Sequence, residues 1–127
     1  MNRETINNVS QLDTGELKSL VLKGLGWWKA PDGYWVSPLK GKVTNAEIPD
    51  YCSSARTFWD LEETLLQEGW TISTDDKLDV VKMSAIEEES GEQITVTVND
   101  EDSFKDHPWA LAIARLFVLV RISYNYF

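Results

Sequence analysis

Between Trp109 and Ile122 the chain reads Trp-Ala-Leu-Ala-Ile-Ala-Arg-Leu-Phe-Val-Leu-Val-Arg-Ile, with Arg115 and Arg121 as its only polar residues. Pro108, just before it, suits the first position of a helix, where the missing N–H costs no useful hydrogen bond. A helix that is apolar around most of its circumference has to be covered on nearly every side. It is therefore either the central packing element or an interface between copies of the chain. It is too short for a bilayer, which takes about 20 apolar residues. With 127 residues, 43% of them hydrophobic, the chain is expected to form one domain spanning 1–127 that buries about two-thirds of its unfolded surface.

The other elements follow from period and punctuation. Residues 1–12 are polar and nearly unpatterned, and are expected to be flexible. Asp13-Thr14-Gly15-Glu16 then opens a helix with a capping residue and an acid three positions on. Leu17, Leu20, Val21 and Gly24 draw its apolar stripe, and Gly24 or Gly26 can end it. In Trp27-Trp28-Lys29-Ala30-Pro31-Asp32-Gly33-Tyr34-Trp35-Val36 two aromatic runs flank a Pro-Asp-Gly turn, which predicts a Trp-rich hairpin or a tight aromatic loop. Ser37 to Asn45 carries too little pattern to read as more than a loop.

Ser53 or Ser54 can cap a second helix in which Ala55, Phe58, Leu61 and Leu65, with Trp59 and Leu66 beside them, form a broad apolar face. Asp60, Glu62, Glu63 and Gln67 take its wet side, and Gly69 stops it. The period then changes to two. Trp70, Ile72 and Thr74 alternate with polar residues, as do Ile94, Val96 and Val98; between them lies the Val- and Ile-rich run 78–86 and an acidic hairpin tip at 87–92. Three antiparallel strands are expected. Thr95 and Thr97 would line the second face of the last strand, so part of that face should be open.

Composition limits the function. A net charge of -9, from 12 Lys+Arg against 21 Asp+Glu, argues against a general DNA- or RNA-binding surface, which needs cations to displace counterions from phosphates. One cysteine forms no internal disulfide, and MNRETINNVSQLD lacks the apolar stretch of a signal peptide. The cytoplasm is the expected compartment, with no membrane association. Cys52 and His107 are the only thiol and imidazole, and a structural role for both outweighs a nucleophile and base. The acidic stretches around Asp75-Asp76-Asp79 and at 99–102 lack the spacing of an EF-hand. No catalytic or metal-ligating residue and no cofactor is assigned, and a non-enzymatic protein is expected.

Several short motifs, taken in order, resemble the phage ABA-sandwich domain family, small proteins encoded by phages and prophages. Gly15, Glu16, Leu17, Leu20, Val21, Gly26 and Trp27 follow that family's early helix and Gly-Trp pair. Pro49, Tyr51, Cys52, Ser54 and Trp59 occupy the place of its Pro-x-Tyr-Ser-x-Asp segment and Trp-bearing helix, with Cys and Ser where Ser and Asp are usual. Pro108 with Ala112, Ile113, Ala114 and Arg115 is similar to its C-terminal helix. The resemblance implies a phage origin and an α+β fold: an α/β/α sandwich of three helices around a small antiparallel sheet. It implies no reaction.

Six tryptophans in 127 residues exceed what a core of this size usually needs. If some line a cleft, a planar base can stack there, and phosphates would then need cations. The candidate ligand-binding set is Trp27, Trp28, Tyr34, Trp35 and Tyr51 with Lys29, Arg56, Arg115 and Arg121. For the two arginines of the last helix, ion pairing with the chain's own acids is slightly favoured over a ligand. Joined to the phage resemblance, this set suggests an accessory protein that sequesters a nucleotide-type immune signal of the infected bacterium, as a homo-oligomer with pockets between chains. The competing expectation is an acidic module that inhibits a host protein by occupying its basic surface.

Overall fold

The last helix is wrapped by its own chain. In the computed structural model, which describes residues 14–51, 55–77, 80–99 and 108–124, every residue from Ala110 to Val120 is buried. The helix, α3, spans Pro108–Ser123 and starts on the expected proline. It packs on α1 (Thr14–Gly24), on α2 (Ala55–Gln67) and on two strands of a sheet, β5 (Val80–Glu87) and β6 (Gln93–Asn99). The interface alternative for this helix is thereby set aside, because no apolar side of it is left for a second copy. Each fully buried Leu, Ile, Val or Phe contributes about 1.5–3 kcal/mol, so this one element anchors the fold.

The class is α+β. Among the described residues three α-helices accompany two antiparallel three-stranded sheets. The larger is β4 (Trp70–Lys77), β5 and β6 in that order, with Trp70 opposite Glu87 and Met83 between Thr74 and Val96. Register and period two place Trp70, Ile72, Val81, Met83, Ala85, Ile94, Val96 and Val98 on the face that joins the core. Thr71, Ser73, Asp75, Lys82, Thr95 and Thr97 are exposed on the other face, as the threonine alternation implies. There Ser84 and Thr95 share a hydrogen bond of 2.8 Å.

The smaller sheet is the Trp-rich hairpin plus one strand. β1 (Trp28–Lys29) pairs with β2 (Trp35–Ser37) across the Pro-Asp-Gly turn, and β2 pairs with β3 (Gly41–Val43). The expected loop over 37–45 is thus corrected to a turn, a strand and the start of a one-turn 3-10 helix, Asn45–Glu47. Three residues are too few to show a period, and Val43 is the only apolar one among them. Trp59 and Leu66 are a second correction. Phe58, Leu61 and Leu65 of α2 are buried as expected, but Trp59 is 63% exposed and Leu66 is exposed too. The Trp59 ring keeps an edge-on contact with Phe58, 5.2 Å between centroids. The capping residues Asp13, Ser53 and Ser54 lie outside the described residues.

Two glycines set how α1 leaves the core. Gly26 has φ +93°, and around it the N–H of Trp27 reaches the Leu22 carbonyl and that of Gly26 the Lys23 carbonyl, both at 3.0 Å. The left-handed residue satisfies the last helical carbonyls and turns the chain into Trp27. Gly24 answers a different need. A Cβ there would lie 2.6 Å from Phe117 Cε1 and 3.2 Å from Arg121 Cγ, so only glycine allows α1 and α3 to approach this closely. Gly24→Ala gains helix propensity of roughly 1 kcal/mol yet overpacks a buried ring, at a typical cost of about 1–3 kcal/mol. The expected net result is a lower urea midpoint with an unchanged m-value; a midpoint at or above the parent's would show that Phe117 can move aside.

Candidate functional site

Below the hairpin lies a cleft of about 390 Å³ whose walls come from three parts of the chain. Leu25 and Trp27 enter from the end of α1, Ser37 to Lys40 from the β2–β3 turn, and Asp60, Leu61 and Thr64 from α2; Glu47, Pro49 and Tyr51 complete the rim. Its volume falls within the roughly 300–1,000 Å³ usual for small-molecule sites. Its surface is mostly apolar, with Lys40, Glu47 and Asp60 as its charged groups.

Local hydrogen bonds hold these walls. The buried Ser37 Oγ accepts the N–H groups of Leu39 and Lys40, at 3.3 and 3.4 Å, which fixes the turn that presents Pro38 and Leu39. Glu47 Oε1 accepts from the Thr44 N–H at 3.1 Å and from its hydroxyl at 3.0 Å. These bonds hold the Glu47 carboxyl below its ordinary pKa, so it is an anion committed to its own turn. Thr57 Oγ1 donates to the Asp50 carbonyl at 2.9 Å, and Lys18 pairs with Asp50 at 2.9 Å. Tyr51 is thereby pinned between α1 and α2. Burial raises the Tyr51 phenol above its ordinary pKa, and the negative charge of Asp60 adds to this, so the cleft presents it as a neutral hydroxyl.

Of the nine candidate ligand-binding residues, the cleft gathers two, Trp27 and Tyr51. Trp35 is buried in the core, with the Lys29 ammonium 5.8 Å above its ring centroid. Trp28 and Tyr34 are exposed, 54% and 49%, on the outward side of the small sheet. Trp27 and Trp28 part because neighbouring residues of extended chain point to opposite sides. Arg56 is exposed at the start of α2. Arg115 is 6% exposed within α3 and takes no part in the cleft wall. Cys52 and His107 lie outside the described residues.

Arg121 resolves in favour of ion pairing. Its Nη2 donates to Glu68 Oε2 at 2.6 Å and its Nη1 to Oε1, so the pair is bidentate. Its Nε donates to the Gly24 carbonyl at 2.8 Å, and its guanidinium sits 4.5 Å above the Phe117 ring centroid. One side chain therefore ties the ends of α1, α2 and α3 together. Bidentate pairing and ring stacking are what arginine does and lysine does not.

Lys40, Asp60 and Thr64 escape a reading of the sequence. Each sits among ordinary polar surface residues in the pattern, and only the packing of the turn on α2 brings them to one rim. Pro38-Leu39, an apolar pair inside a polar segment, is the one local signal. Among the described residues no group of three or more His, Cys, Asp or Glu is placed to hold a metal, and no helix is long and apolar enough to cross a membrane.

Replacing Arg121 by Met keeps much of its stem but removes the pair with Glu68 and the cap on Gly24. Hydrogen bonds to charged groups contribute about 1.5–3 kcal/mol each, less where water reaches Glu68. A loss of about 1–3 kcal/mol in chemical denaturation is expected, and an unchanged stability would show that the clamp contributes nothing net. Comparison with protein-family models, curated proteins and solved structures finds no match to this chain.

Proposed function

We propose that this protein binds a small planar ligand in the cleft lined by Trp27 and Tyr51 without chemically altering it. The observation that carries the reading is the cleft itself, mostly apolar, with an indole, the phenol of a largely buried tyrosine and the carboxylate of Asp60 in its lining. Stacking on such rings contributes about 1–3 kcal/mol per base. Asp60 offers an acceptor for an exocyclic amino group, as carboxylates do for cytosine. The rim's charges refine the ligand. One cation, Lys40, faces two acids, Glu47 and Asp60, and neither Arg115 nor Arg121 reaches the site. The arrangement favours the base and sugar of a nucleotide over a run of phosphates.

On the resemblance of its motifs to phage ABA-sandwich proteins, the biological form of this reading is a phage accessory protein that captures a nucleotide-type immune signal inside the infected bacterium. Capture needs affinity and abundance and no reaction. A homo-oligomer remains part of the proposal, with α3 excluded as its contact.

A second reading, an acidic module that inhibits a host protein, draws on α2. Trp59 and Leu66 stand exposed two helical turns apart with Glu62 and Glu63 between them, and anchors at i and i+7 are what a helix offers to a partner's groove. Burial of the Glu62 carboxyl raises its pKa, a cost that a partner's cation would relieve.

Native mass spectrometry of the protein purified gently from bacteria, followed by titration with adenosine, cytidine and their monophosphates, separates the two. The capture reading expects a bound or titratable nucleoside-sized mass, nucleosides binding at least as tightly as monophosphates, and a tenfold or greater loss of affinity in Trp27→Ala, from the stacking energy above. A bare protein that no nucleoside shifts would abandon capture in favour of the acidic module.

A further inference from the structure

The outward side of the small sheet is a second aromatic surface, separate from the cleft. Trp28 lies opposite Val36, and Val36 opposite Lys42. Ala30 and Tyr34 close the hairpin, with the Ala30 N–H on the Tyr34 carbonyl at 2.8 Å. Paired residues share a face, so Trp28, Tyr34, Val36 and Lys42 stand on one side of the sheet. Trp28 and Tyr34 are therefore diagonal neighbours across the hairpin, and about half of each is exposed.

The surroundings of these rings are fixed and electrically balanced. Asp32 accepts the Tyr34 N–H through Oδ1 at 3.1 Å and pairs with the Lys42 ammonium through Oδ2. The same ammonium sits 5.6 Å above the Tyr34 ring centroid. Lysine and its counterion, ring and turn therefore hold one another, and Lys42, the cation that the register places on this face among the described residues, already has its anion.

We propose that this face is a platform for a neutral oligosaccharide, with one pyranose ring stacked on Trp28 and its neighbour against the edge of Tyr34, whose ring already carries the Lys42 ammonium. Three features select that class. The rings are open to solvent, unlike sites for small apolar ligands, which enclose 70–90% or more of what they bind. A pyranose suits such a face because its axial C–H groups form an apolar side while its equatorial hydroxyls stay in water. Single-stranded nucleic acid also stacks on open aromatics, but it needs cations along its backbone; here Lys42 is neutralised by Asp32 and the chain carries a net charge of -9. Finally, Asp32 and Lys42 supply a paired acceptor and donor on the same side of the sheet as Trp28, within reach of the hydroxyls of a sugar seated there.

The test uses the full chain and four probes: cellohexaose, chitohexaose and maltohexaose as neutral pyranose chains, and oligothymidylate as a polyanion with stacking bases. Binding is followed by the indole N–H resonances. At least one oligosaccharide is expected to shift the Trp28 indole signal at millimolar concentration. Trp28→Ala and Tyr34→Ala, both at exposed positions and checked for an unchanged circular-dichroism spectrum, should each weaken that sugar about tenfold or more, the scale of one lost ring contact. Trp27→Ala should leave it unchanged, which keeps this face distinct from the cleft. Silence toward all three sugars, sugar binding that survives loss of Trp28, or oligothymidylate bound at Trp28 in their place would each overturn the proposal.

Discussion

Everything else in this protein is arranged around the burial of α3. A helix with alanine, leucine, isoleucine, phenylalanine and valine on every side has no stable orientation at a surface, so sheet, α1 and α2 must all contribute a face to it. The larger sheet supplies its apolar alternation, α1 its Leu17 and Val21 stripe, and α2 Phe58, Leu61 and Leu65. Because the three partners surround one axis, a movement of any of them is felt by the others. Two devices set the spacing. Gly24 lets α1 close onto Phe117, and Arg121, the last charge on the helix, reaches out of the apolar region to fasten both neighbouring helix ends. The candidate surfaces are built on what this packing leaves over, the segments that enter and leave α1 and α2.

Period and punctuation made most of the scaffold legible in the sequence. The helix on Pro108, the turn at Pro31-Asp32-Gly33 and the alternation of Val96 and Val98 with threonines each state a local preference that agrees with the final packing, and such agreement across levels is what a foldable sequence shows. The misreadings have a common cause. β3 is only three residues long and owes its existence to pairing with β2, a tertiary fact. Trp59 looks like core by composition but stands exposed beside the buried Phe58, outside the sector of α2 that faces the core. A helical wheel gives relative directions around an axis and says nothing of how wide the covered sector is.

The site was less legible than the fold, for a related reason. Proximity in sequence made Trp27, Trp28, Tyr34 and Trp35 look like one cluster, yet extended chain sends successive side chains to opposite sides. Trp35 entered the core, Trp27 turned to the cleft and Trp28 with Tyr34 to solvent. The two arginines of α3 illustrate the other half of the problem. Their isolation among apolar residues marked both as special, but it did not tell whether the balancing charge would come from a ligand or from the chain. For Arg121 it is the chain's own Glu68.

The placement of charge has a further consequence. An excess of nine negative charges would oppose any anionic ligand from a distance, and steering of this kind acts beyond direct contact but within about 10 Å at ordinary ionic strength. Lys42, on the face of the outer rings, is engaged with Asp32, and Lys18 with Asp50 beside Tyr51, while Lys40 lines the cleft together with two acids, Glu47 and Asp60. Both the cleft and the outer platform are therefore left with rings and hydrogen-bonding groups as their main means of attraction. On the proposed readings, discrimination rests on shape and on the donors of an uncharged or weakly charged ligand, and the chain's net charge of -9 adds a long-range penalty against polyanions that compete for the same rings.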